Sequence, residues 1–132
     1  MIKRMFKYTF LAVVFSSLFS CASTSELDAL DKSTRSYERA IRWGEFARAK
    51  AFHKAEPVLH DIERRRLKFY RVTGYNTLSN QTPDINNSYL LVEIKYYKND
   101  RPVIKTATIK QHWKREKESG IWYLDTPFPT FK

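Results

Sequence analysis

From Leu67 onward apolar residues alternate with polar ones, a period of two that predicts extended strands with opposed faces. Four strands follow: about Leu67 to Leu78, Ser88 to Lys98, Val103 to Lys117 and Ile121 to Thr126. Asn80 to Asn87, Asn99-Asp100-Arg101-Pro102 and Lys117-Glu118-Ser119-Gly120 carry turn residues, so the strands should join as antiparallel hairpins. Ahead of them the period lengthens. Ser33 or Thr34 can cap a helix whose apolar stripe is Tyr37, Ala40, Ile41 and Trp43, with Gly44 as its stop. A second helix is expected from Glu45 through Phe46, Ala47, Ala51 and Phe52 to before Pro57. Residues 58–66 stay open, and residues 22–31 have no long apolar stripe and suit a tether.

The pairing register can be derived by asking which alignment gathers apolar residues on one face. Setting Lys98 opposite Val103 brings Ile94 to Ala107 and Val92 to Ile109, and puts Glu93 beside Thr108 on the other face. Setting Glu116 opposite Ile121 brings Trp113 to Leu124. The resulting apolar face is Leu90, Val92, Ile94, Tyr96, Val103, Ala107, Ile109, Trp113 and Leu124, to be covered by Tyr37, Trp43, Phe46 and Phe52. Each large side chain buried there contributes about 1.5–3 kcal/mol. The expected fold class is therefore α+β, with N-terminal helices packed on a curled antiparallel sheet of about four long strands, in one domain over residues 33–132.

The first twenty residues follow a different logic. Lys3, Arg4 and Lys7 precede an apolar run from Tyr8 to Phe19, the layout of a secretory signal and shorter than the roughly 20 apolar residues a membrane helix needs. The run ends in Leu18-Phe19-Ser20-Cys21, which resembles a bacterial lipobox. That resemblance implies removal of residues 1–20, a diacylglycerol thioether and acylated amine on Cys21, and a tether over 21–32. Ala22 after the cysteine implies, in a Gram-negative bacterium, an outer-membrane lipoprotein with its domain in the periplasm. Ser20-Cys21-Ala22 also reads as an ordinary small-x-small cleavage site. A lone cysteine forms no intrachain disulfide and no thiolate metal site.

Composition agrees with a packed domain: 42% hydrophobic and 15% aromatic residues argue against disorder. Charge adds a partner class. The chain carries 24 basic against 14 acidic residues, net +10, and the basic residues cluster. Arg64, Arg65, Arg66, Lys68 and Arg71 have no acid among them, and residues 95–117 set eight basic residues against Asp100 and Glu116. In the cytoplasm such clusters would point to nucleic acid. After export the polyanions at hand are anionic lipid phosphates or lipopolysaccharide, and nucleic acid drops out. The same charges also suit the solvated faces of strands.

Helices followed by a long-stranded meander closing in Trp122-Tyr123-Leu124-Asp125 resemble the nuclear transport factor 2-like superfamily, the cone-shaped fold that includes SnoaL-like proteins. The resemblance spans roughly residues 33–126, through Tyr37-Glu38-Arg39-Ala40-Ile41-Arg42-Trp43-Gly44, Arg71-Val72-Thr73-Gly74-Tyr75 and Gln111-His112-Trp113, segments similar to bacterial lipoproteins of this fold. It implies a pocket between helices and sheet, where enzymes of the superfamily keep an Asp, His or Tyr that moves protons. Fold alone does not assign the activity.

Three functions compete. The first is a noncatalytic module that binds an envelope protein, a lipid or its own copy through Tyr89, Leu91 and Tyr97 beside the basic residues. The second holds a small ligand in a pocket of Trp43, Phe46, Tyr96, Gln111 and Trp113. The third is an enzyme using His112 and Asp125, which the register sets opposite each other as a base and its orienter, an arrangement that a cross-strand polar pair shares. His53 and His60 lack metal-ligand spacing, no phosphate loop or hydrolase motif occurs, and no cofactor is implied. The first reading is the one the sequence favours.

Overall fold

The computed structural model describes residues 24–132; Cys21 and the leader before it lie outside the described residues. Helix α1 runs through residues 24–42, followed by α2 (Phe46–Lys50) and α3 (Asp61–Leu67). Strands β1 (Tyr70–Asp84), β2 (Asn87–Lys98), β3 (Arg101–Arg115) and β4 (Trp122–Leu124) form one antiparallel sheet in the order β1-β2-β3-β4, not closed into a barrel. The architecture is α+β.

The derived register holds across the middle of the sheet. Val92 pairs with Ile109, Glu93 with Thr108, Ile94 with Ala107 and Trp113 with Leu124, and the Glu116 amide donates to the Ile121 carbonyl at 2.9 Å. At the β2–β3 turn it slips: Lys98 pairs with Arg101 across a two-residue turn, instead of with Val103. Val103 is consequently exposed, where the alternation had placed it under the helices. Pro102, which has no amide to donate, sits inside that irregular stretch.

Other boundaries differ for identifiable reasons. Residues 24–32, expected as tether, are helical: Leu30 extends the buried stripe of Tyr37 and Ile41, and Glu26 pairs with Arg115 at 3.0 Å. The expected loop from Asn80 is strand as far as Asp84, where the turn forms around the Asp84 carboxylate. That carboxylate accepts the Asn86 amide at 2.7 Å and the Asn87 side-chain amide at 3.1 Å, which holds its pKa below the ordinary range. The second helix is only α2, and the open segment after Pro57 supplies α3, so the first strand starts at Tyr70 rather than Leu67.

Gly44 sets the end of α1. With φ +71° it closes the helix by two bonds, Gly44 N–H to the Ile41 carbonyl and Glu45 N–H to the Ala40 carbonyl. Trp43 follows Tyr37 by six positions, about 120° around the helix, and so leaves the buried stripe. It is 77% exposed, not a core residue, and Phe46 on the far side of the glycine turns inward instead.

The core has two aromatic centres. Trp113 receives the edges of Tyr37 and Phe52, ring centroids at 5.7 and 5.8 Å. Phe131, from the C-terminal stretch after β4, packs on Tyr96, Phe46 and Tyr70 at 4.9, 5.6 and 5.9 Å. Trp113 and Phe131 are fully buried. These rings occupy the space between helices and sheet.

Candidate functional site

The five residues expected to line a pocket do not converge on one. Tyr96 and Trp113 are held in the two aromatic centres. Gln111 is buried with both ends of its amide engaged: the Trp113 indole N–H donates to its Oε1 at 3.1 Å, and its Nε2 donates to the Tyr75 hydroxyl at 3.0 Å. Burial pushes the Tyr75 phenol up to about 12. Trp43 and Phe46 flank a separate groove on the outside.

Beneath α1 runs a polar chain built from residues far apart in sequence. His53 Nδ1 lies 2.6 Å from the Thr126 carbonyl oxygen, which can only accept, so Nδ1 carries the proton. His53 Nε2 is then the acceptor for the Tyr37 hydroxyl at 3.1 Å. Both side chains are almost wholly buried. Desolvation lowers the imidazole pKa, against the opposing pull of the Thr126 carbonyl, and raises the Tyr37 phenol well above its usual value. Nearby Lys50, 2% exposed, is neutralised by Glu63 at 2.6 Å; that bond holds the Glu63 carboxyl below its ordinary pKa and ties α2 to α3. Tyr37, His53 and the Thr126 carbonyl thus bond to one another, and Lys50 is committed to Glu63.

His112 and Asp125 do lie opposite each other, with the Asp125 amide donating to the His112 carbonyl at 2.9 Å. Their side chains are less suited to catalysis. His112 Nδ1 is 3.8 Å from Asp125 Oδ2, beyond hydrogen-bond range, and the same oxygen is 3.6 Å from Lys114 Nζ. His112 Nε2 meets Asn87 Oδ1 at 2.9 Å, and the ring stacks on Tyr89 with centroids 4.4 Å apart. The imidazole is thus fixed by Asn87 and Tyr89, and the carboxylate is shared with a lysine. A hollow of about 280 Å³ opens beside His112, on the strand face it shares with Tyr89 and Leu91. Of the expected contact residues on that face, Tyr89 is exposed while Leu91 and Tyr97 are half-buried.

A wider open concavity lies elsewhere. A groove of about 1070 Å³ lies where the end of α1 meets α3 and the start of β1. Its walls carry Arg42, Arg48, Arg64, Lys68 and Arg71 against one acid, Glu45, over an apolar floor that includes Leu59 and Leu67, with Trp43 at its edge. Arg42 is braced by Glu38 and the Tyr75 carbonyl, both at 3.0 Å, and Arg48 by Glu45 at 3.3 Å. Arg71 donates to the Lys68 and Tyr70 carbonyls at 2.8 and 3.1 Å, contacts that leave its charge uncompensated. Arg64 and Lys68 have no side-chain partner among the described residues. The basic run was visible in the sequence; what was not is that α3 takes up its first half. The helix turns Arg64 and Lys68 to the groove and sends Arg66 toward the Phe131 carbonyl at 3.5 Å.

Among the described residues no three His, Cys, Asp or Glu side chains come together to hold a metal, and no helix is long and apolar enough to cross a membrane. Comparison with protein-family models, with curated proteins and with solved structures finds no match to this chain.

Proposed function

We propose that this chain is a noncatalytic binding module of the cell envelope, exported by its N-terminal segment and anchored through lipidated Cys21 to the outer membrane, with the domain in the periplasm. Its α+β arrangement is of the nuclear transport factor 2-like kind, adapted to bind on its outer surface rather than between its layers. One observation carries the binding mode. The interior that would serve as a pocket is packed with rings and mutually satisfied polar groups, while the basic groove beside Trp43 is open. The anchor rests on the Lys3-Arg4, apolar run and Leu18-Phe19-Ser20-Cys21 pattern.

Intact-mass analysis and fractionation of the full-length chain made in a Gram-negative host test the anchor. The expected product begins at Cys21, carries acyl chains and sediments with the outer membrane. Cys21→Ala should abolish acylation and release or block the chain. An unmodified chain starting downstream of Cys21 would remove the anchor from this account.

A further inference from the structure

We infer that the groove at the end of α1 binds the phosphate headgroups of anionic membrane lipids. The inference deepens the binding-module reading above and rests on its placement of the domain in the envelope. Arg64 of α3, Lys68 at its end and Arg71 at the start of β1 all line the groove, their charges not neutralised by any acid among the described residues. Several converging cations on an open surface answer a polyanion, because each phosphate can take donors from more than one of them.

Trp43 narrows the ligand to a lipid. A second hollow, of about 310 Å³, lies between Arg35, Glu38, Arg39, Arg42 and Trp43, so the indole stands as a partition between two cationic recesses. An exposed indole surrounded by cations is the pairing found at the boundary between headgroups and acyl chains, where the ring is apolar on one side and wet on the other. Sequence-tolerant binding of single-stranded nucleic acid needs a series of exposed aromatic platforms, and of the groove's three rings Phe46 and Tyr70 are buried, leaving Trp43.

The exposed side of α1 extends the surface. Lys32, Arg35, Arg39 and Arg42 follow at spacings of three and four residues and lead to Trp43. Asp31 neutralises Arg35 at 2.9 Å and Glu38 neutralises Arg42 at 3.0 Å, which leaves Lys32 and Arg39 as the stripe's free charges among the described residues. At about 1.5 Å per residue, α1 spans about 28 Å, so a chain anchored near its start brings the groove to the same bilayer when α1 lies along the surface.

The test uses the full-length chain on vesicles of phosphatidylcholine alone or with phosphatidylglycerol, reading tryptophan emission and its quenching by brominated lipids. Trp113 and Trp122 are buried, so a change reports Trp43, and Trp43→Phe identifies it. The expected result is a blue shift and quenching that require phosphatidylglycerol. Both should be lost in the R64A/K68A/R71A variant and in about 1 M salt, where the screening length falls to about 3 Å. Circular dichroism establishes that the variant is folded. Emission independent of phosphatidylglycerol, or a triple variant that responds like the parent, overturns the inference. So does a response reproduced by inorganic phosphate alone, which would make this a free-phosphate site, or abolished by competing single-stranded RNA. Flotation on phosphatidylcholine vesicles reports the anchor separately: a chain that floats there without responding to phosphatidylglycerol keeps the anchor and loses the lipid site.

Discussion

His53 and Thr126, 73 residues apart, are joined by a 2.6 Å hydrogen bond that fastens the segment after α2 to the segment after β4. The Tyr37 hydroxyl completes the chain from the α1 side. The carbonyl fixes which ring nitrogen carries the proton, and burial, outweighing that carbonyl's opposing pull and aided by the nearby Lys50 charge, lowers the imidazole pKa. The folded state therefore resists protonation at a pH where the unfolded chain, with an ordinary histidine, accepts it. The stability from this group should be complete above about pH 6.5 and decline as pH falls from there through the lowered folded value. Urea melts from pH 8 to 5 should show that decline, and His53→Gln should flatten it. His53→Ala, which strands the Tyr37 hydroxyl and the Thr126 carbonyl, should cost about 1–3 kcal/mol for each group left unpaired.

Lys50 and Glu63 make a pair whose two halves are not equivalent. Lys50 is 2% exposed and Glu63 partly in solvent, so Glu63→Gln leaves a buried ammonium with only Glu56 at 3.9 Å. Glu63→Gln should cost about 1.5–3 kcal/mol, the range for a hydrogen bond to a charged group. Lys50→Met, which removes the buried charge and keeps most of the volume, should cost less. Chemical denaturation of the two variants at neutral pH gives the order, and equal losses would mean that Lys50 is not desolvated in solution.

Phe131 belongs to the core although no strand or helix carries it. Phe131→Ala should destabilise the fold by about 3–5 kcal/mol, as for a buried aromatic, with a matching drop in the denaturation midpoint. A change within about 0.5 kcal/mol would mean that the C-terminal stretch does not dock.

The two tryptophans named as pocket residues should behave oppositely. Trp113→Ala empties the space filled against Tyr37 and Phe52 and should cost about 3–5 kcal/mol. Trp43→Ala, on the surface, should stay within about 0.5 kcal/mol. Thermal and urea melts of both variants make the comparison.

That contrast marks where the sequence was informative. Alternation along Leu90 to Tyr96 and Ala107 to Trp113 specified the faces, because a one-residue slip would expose the whole apolar set, so the central register and the His112–Asp125 adjacency could be derived. The end of α1 could not be read as closely: Trp43 fits a loose three-and-four pattern, and only the helical angle, with the turn at Gly44, puts it outside. Phe131 lies in an aperiodic tail, and the Tyr37–His53–Thr126 chain joins three segments with no common period, so neither left a local signal. The groove was half legible. Its charges stood out, but α3 began in the segment whose pattern fitted no single element, and its turn decides which of the arginines share a wall.

The contrast between a closed interior and an open cationic groove is tested most directly by collisional quenching of tryptophan with ions of opposite sign. Iodide, drawn to the cations around Trp43, should quench one emission component strongly, and caesium should quench it weakly. In Trp43→Phe the remaining emission, from buried Trp113 and Trp122, should resist both. Emission that iodide and caesium quench equally in the parent, or that iodide still quenches in Trp43→Phe, would contradict the account.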